Sequence, residues 1–85
     1  MSYEVVFTDT SKKQFNKLEK DVQERIINAL ERIRIRPESY VKKIIGDPGY
    51  KLRVGDYRII LDIEKSELII LVIKIGHRKN IYEKL

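Results

Sequence analysis

Apolar and polar positions change rhythm along the chain. Tyr3 to Phe7 is a short β-like run. Thr8, Asp9, Thr10 and Ser11 then offer several helix N-cap residues, and a short helix is predicted to about Glu19, with Phe15 and Leu18 on one side. Asp21 and Glu24 have the spacing of a capping box, which predicts a second helix starting at Asp21. Val22, Ile26, Leu30 and Ile33 recur at helical spacing. Ile27, Ala29 and Ile35 widen that stripe, so the helix should be well covered, and Pro37 stops it. So short a link between the helices predicts an antiparallel pair.

Residues 38–49, with Gly46, Asp47, Pro48 and Gly49, read as a loop. Beyond them the period becomes two. Tyr50, Leu52 and Val54 alternate with Lys51 and Arg53. After a two-residue Gly55-Asp56 turn, Tyr57, Ile59, Leu61 and Ile63 alternate with Arg58, Ile60 and Asp62. Leu68 to Ile75 is apolar apart from Lys74 and reads as a central strand. The predicted class is α+β: an N-terminal strand, an antiparallel helical hairpin, then a three-stranded antiparallel meander, with the helices on one sheet face.

Turn geometry places the charges. With Gly55 and Asp56 as the loop, Arg53 stands opposite Arg58 and Lys51 lies diagonally on the same face, away from the apolar partners. Like charges directly opposed are destabilising. A wet strand face that served only solubility would mix its signs, and here Asp62 is the nearest acid. The last hairpin allows two registers. A turn at Lys65-Ser66 would bury Lys74. A three-residue turn at Glu64-Lys65-Ser66 puts Ile69, Leu71, Ile73 and Ile75 in the core and brings Lys74 to the cationic face. The second is expected, because burying an unpaired lysine is costly.

Length and charge narrow the partners. Eighty-five residues make one domain, 1–85, with no room for a second core. Eighteen Lys and Arg against 13 Asp and Glu give a net charge of +5, which favours nucleic acid, a membrane surface or an acidic protein. The absence of Cys excludes a disulfide scaffold, and a single His argues against a His/Cys metal centre. No signal peptide is expected, and the longest apolar run, Leu68 to Ile73, is too short to span a bilayer. A soluble cytoplasmic domain is the expectation. No Gly-rich phosphate loop, GxSxG or paired carboxylates stand out. The cationic face is suited to a polyanion, since arginine forks onto phosphate and lysine adds a point charge. His77 beside Arg78 at the last strand's end is a candidate proton carrier. Tyr82, one helical turn beyond Arg78, could stack on a base.

The stretch Tyr50 to Arg58 (YKLRVGDYR), followed by Ile75 to Tyr82 (IGHRKNIY), resembles the RelE/ParE toxin superfamily. The helical hairpin and Lys43-Ile44-Ile45-Gly46 fit it too, so the resemblance covers essentially the whole chain. It implies a toxin of a type II toxin–antitoxin system. RelE-like members cut messenger RNA in the ribosomal decoding site; ParE-like members share the fold but poison DNA gyrase. Matched residue by residue, the RelE-like functional set falls on Lys51, Arg53, Arg58, Arg78 and Tyr82; Lys74, expected on the cationic face, and Lys79 are separate candidate RNA-binding residues. The tail after Tyr82 is shorter than in some relatives. The resemblance implies attack by the RNA 2′-OH with no metal or other cofactor. Lys51 or Arg53 would activate that hydroxyl and Arg58 would hold the phosphate. Arg78, with His77 as its rival, would assist the leaving oxygen, and Tyr82 would orient a base. The implied partners are the ribosome, its message, and an acidic, partly disordered, RelB-like antitoxin in a heterotetramer, with no membrane. A gyrase inhibitor that makes no cut and a non-catalytic RNA-binding module are the alternatives.

Overall fold

The computed structural model describes residues 2–77. Two helices lie against a sheet formed by β1 (Glu4–Phe7), β2 (Lys42–Lys43), β3 (Tyr50–Val54), β4 (Tyr57–Glu64) and β5 (Ile69–His77). The helices are α1 (Asp9–Asn16) and α2 (Lys20–Arg32), and a single 3₁₀ turn spans Pro37–Ser39. The strand order is β1-β5-β4-β3-β2, with β1 parallel to β5 and the other pairs antiparallel. The α+β class is as expected, but the sheet has a fifth strand, β2, inside the segment read as a loop. No helix is long and apolar enough to cross a membrane.

The core lies between helices and sheet. Ile26, Leu30 and Ile33 of the α2 stripe and its C-cap meet Leu52, Ile59, Leu61, Ile63, Ile70, Val72 and Ile75. The stripe is narrower than expected: Ile27 and Ile35 are exposed. The start of α2 also differs. Its N-cap is Glu19, with no side-chain cap, and the supposed capping acid Asp21 lies within the first turn, 3.4 Å from Arg25. With the helix starting at Lys20, one residue earlier than expected, Asp21 sits past the capping position and acts as an acid in the first turn, where it complements the helix dipole. Helix α1 ends at Asn16, short of Glu19, and Gln23 Nε2 donates to the Phe15 carbonyl at 2.9 Å across the link.

The last hairpin follows neither expected register. Glu64 pairs with Ile69, so the loop is the four residues Lys65 to Leu68, with Leu68 at φ +56°. Ile63 pairs with Ile70 and Leu61 with Val72, which puts Ile70 and Val72 in the core instead of Ile69 and Leu71. The register then shifts: Ile60 pairs with Lys74, leaving Ile73 as an extra residue in β5. Such a bulge reverses the alternation. It returns Ile75 to the core and turns Lys74 to the outer face, so the lysine arrives where it was expected by a different route.

Polar side chains of the α1 segment hold that bulge. Strand β1 ends at Phe7, opposite Val72, so the remainder of β5 has no strand on that side. The Thr8 hydroxyl donates to the Ile73 carbonyl at 3.1 Å, and the fully buried Ser11 hydroxyl donates to the Val72 carbonyl at 2.8 Å. The Ile75 amide donates to Gln14 Oε1 at 2.7 Å. These side chains replace the missing strand, because backbone groups inside a fold must find partners. Thr8 also caps α1, its oxygen accepting from the Ser11 amide at 3.1 Å.

Candidate nucleic-acid interface

The β3–β4 hairpin sets the site. Gly55 takes φ +58° while Asp56 does not go positive, the dihedral pattern of a turn with Gly first. That turn pairs Val54 with Tyr57, Arg53 with Arg58 and Leu52 with Ile59. Leu52 and Ile59 are buried on the helix side, so Arg53 and Arg58 share the outer face. Arg53 is exposed, with its Nε 3.4 Å from the Gly55 carbonyl. Arg58 is half-buried, and its Nε is inaccessible to solvent.

Two cross-strand rows build the outer face. One runs Lys42, Lys51, Ile60, Lys74, and the other runs Arg53, Arg58, Gly76. Gly76 presents no side chain to Arg58 from β5. Lys42 was not foreseen. It is aligned with Lys51 only because β2 pairs with β3, and a two-residue Lys-Lys strand carries no apolar pattern to announce itself. A recess of about 230 Å³ forms here, lined by Tyr40, Lys42, Lys51, Arg53 and Arg58, four cations and no acid. Tyr40 was missed for the same reason as Lys42: the fold of residues 37–49, not their pattern, brings them over the sheet.

A small apolar contact holds that segment down. Ile44 and Ile60 bury each other on the outer face. The Ile44 amide donates to the Gly49 carbonyl at 3.1 Å, and Asp47 Oδ1 accepts from the Gly49 amide at 2.8 Å, closing the loop. At its other end Glu38 Oε2 meets Lys65 Nζ at 2.8 Å. The hydrogen bond from Lys65 holds the Glu38 carboxyl below its usual range, and Glu38 in turn raises the Lys65 ammonium.

The remaining predicted residues separate. Lys74 stands on the outer face beyond Ile60 and does not line the recess. His77 pairs with Tyr57 on the helix side, edge-on at 5.5 Å between ring centroids, so it faces away from Arg58. Its neighbour Gly76 is the residue opposite Arg58; a strand's alternation puts consecutive side chains on opposite faces. Arg78, Lys79 and Tyr82 lie outside the described residues. Among the described residues no group of three or more His, Asp or Glu is placed to hold a metal ion.

Comparison with known proteins gives one consistent answer. The family model for the ParE toxin of type II toxin–antitoxin systems, parDE, matches residues 5–82. An Escherichia coli protein described as a RelE-like toxin is 28% identical over 82 residues, covering 93% of this chain and 86% of its own length. A chain of the intact E. coli RelBE toxin–antitoxin complex superposes with TM-score 0.76 at 28% identity, over 88% of this chain and 95% of that one. One from the archaeal RelE–RelB complex of Pyrococcus horikoshii OT3 gives 0.79 at 25%, over 94% and 99%. The fold alone is shared with the RelBE2 complex of Mycobacterium tuberculosis, at TM-score 0.84 and 21% identity, over 92% and 100%.

Proposed function

The chain belongs to the RelE/ParE superfamily of type II toxin–antitoxin toxins, and from that premise we propose that it is a ribosome-dependent endoribonuclease. The observation that carries the reading is the recess itself: Lys42, Lys51, Arg53 and Arg58 converge on one outer-face site with no acid in its lining. Collecting like charges lowers stability, and a phosphate between them offsets that cost.

The chemistry is attack of the RNA 2′-oxygen on the adjacent phosphorus. The 2′-O–H gives up its proton, the new P–O2′ bond forms, and the P–O5′ bond breaks. The leaving 5′-oxygen takes up a proton. The products are a 2′,3′-cyclic phosphate, which can open to a 3′-phosphate, and a 5′-OH. The attacking group is supplied by the RNA, so the reaction requires no metal-bound water. Arg58, held by its half-buried position, binds the phosphate and meets the charge that develops on it. An arginine stays protonated at neutral pH, so Arg53 serves by stabilising the forming 2′-oxyanion. Lys51, as a lysine, can exchange a proton there. Lys42 and Lys74 add point charges for neighbouring phosphates. Arg78 assists the leaving oxygen and Tyr82 orients a base, roles carried over from the resemblance, and Lys79 adds a charge for the RNA backbone. His77 has no part, since it lies on the other face of the sheet. The neutralising partner is an acidic, partly disordered RelB-like antitoxin, assembled with the toxin as a heterotetramer in the cytoplasm. A chain of net charge +5 is electrostatically suited to it.

The family model that matches is named for ParE, which favours a second reading: a gyrase inhibitor that cuts nothing. One experiment separates the two. Purified protein is added to translating ribosomes and the 5′ ends of the message are mapped, while gyrase supercoiling is followed in parallel. Cuts within codons at the decoding site are expected. Supercoiling inhibition with an intact message would replace the first reading by the second.

A further inference from the structure

We propose that Tyr40 is a base-stacking platform at the rim of the cationic recess. The recess would then recognise single-stranded RNA by base as well as by phosphate. The inference rests on the reading of the recess as an RNA site.

Tyr40 lines the recess together with Lys42, Lys51, Arg53 and Arg58, yet it remains 50% exposed. An aromatic ring used only for packing would be expected to bury more of its face. Its backbone is held from both sides. The Tyr40 amide donates to the Pro37 carbonyl at 3.1 Å, closing the 3₁₀ turn over the buried Pro37. Beyond it, Lys42 pairs with Lys51 and Ile44 buries against Ile60. The Glu38–Lys65 contact ties the turn to the β4–β5 loop. A ring on an anchored segment loses little freedom when a base stacks on it, and two torsion angles suffice to aim it.

The chemistry of the neighbours selects the ligand. Four cations beside one exposed aromatic face is the arrangement that single-stranded nucleic acids use: charge tracks the backbone and the ring takes a base. Every base has a π-face, so the contact adds affinity with little sequence preference. A duplex would keep its bases stacked inside and gain only the charge term.

The test uses a short 2′-O-methyl oligoribonucleotide, which cannot be cut, and an abasic strand of equal length and charge. Their affinities are measured for the wild type, Tyr40→Ala, Tyr40→Leu, Tyr40→Phe and Tyr40→Trp. Tyr40→Ala and Tyr40→Leu should bind the base-bearing strand roughly five- to hundredfold more weakly and the abasic strand unchanged. Tyr40→Phe should bind like the wild type. The chain has no Trp, so Tyr40→Trp supplies a single reporter, expected to be quenched by the base-bearing strand alone. If the wild type binds the base-bearing strand but Tyr40→Leu binds it equally well, the stacking role is wrong and the phosphate site stands. If the wild type prefers neither strand over buffer, the RNA reading of the recess falls, and this inference with it.

Discussion

Strand β4 carries opposite charges at the two ends of one face. Arg58, near its start, stands beside Arg53 and Lys51, whereas Asp62 and Glu64 stand together at its finish. The buried pair Ile44 and Ile60 lies between the two ends. Both ends collect like charges, but they relieve the repulsion differently. At the acidic end, the hydrogen bond and charge of Asp62 push the Glu64 carboxyl up, so it takes a proton more readily. An arginine has no such recourse, since a guanidinium does not give up its proton in a protein. The two arginines of the basic end therefore have no such relief. It is also the end with a recess, formed where residues 37–49 fold over the sheet. What separates a site from an ordinary charged surface here is a persistent charge joined to a shaped concavity.

The largest effect should come from removing charge at the basic end alone. Lys51→Ala with Arg53→Ala should lower message cleavage on the order of a hundredfold or more, as expected when groups that stabilise transition-state charge are lost. Asp62→Asn with Glu64→Gln should leave cleavage within about twofold. Equal losses from the two pairs would erase the distinction between the ends. Next is the divider. Ile60→Ala empties the outer-face contact with Ile44 and should cost about 2 kcal/mol in a urea melt, loosening the segment that carries Tyr40 and Lys42. Ser11→Ala follows, at about 1 kcal/mol, because the Val72 carbonyl keeps the Thr8 amide but loses the buried Ser11 hydroxyl. Its sharper signature should be faster amide exchange at Ile75, through loosening of the bulge that turns Lys74 outward.

The smallest effect is on pH dependence. A carboxyl whose folded pKa is raised binds its proton more tightly when folded. Its repulsion is fully present above the folded pKa and is relieved as pH falls through that value toward the unfolded one. Glu38 has the opposite sign: its folded pKa is lowered, so its contribution is present above the unfolded value and is lost on acidification through the folded one. In urea midpoints measured across the carboxylate range, Glu64→Gln should show a steeper acid-side loss than the wild type. Glu38→Gln should show a shallower one.

The hairpin from Tyr50 to Ile63 was legible because its register is local. Gly55 and Asp56 define a two-residue turn, and everything that places Arg53 opposite Arg58 follows within ten residues. Strand β5 was not legible in the same way. Its alternation breaks at Ile73, and the groups that hold the break, Thr8, Ser11 and Gln14, lie some sixty residues away. Strand β5 runs on through Gly76 to His77, and the face His77 takes depends on that same bulge. Lys42 and Tyr40 escaped notice because their placement depends on pairing in space and on the Ile44–Ile60 contact. The charge needed for the site could be read from the sequence; the walls of the recess could not.

On the proposed reading, Arg58 is held for its chemistry and not for the fold. The direct measurement is a thermal melt and a single-turnover cleavage rate on programmed ribosomes, made on one preparation of Arg58→Ala. Its half-buried stem should cost about 1 kcal/mol, partly offset by relief of the Arg53 repulsion, so the protein should stay folded at assay temperature. Cleavage should fall a hundredfold or more, and Arg58→Lys should restore only part of it, since a lysine cannot fork onto phosphate. A folded Arg58→Ala protein that cuts at the wild-type rate would contradict the claim, as would one that unfolds.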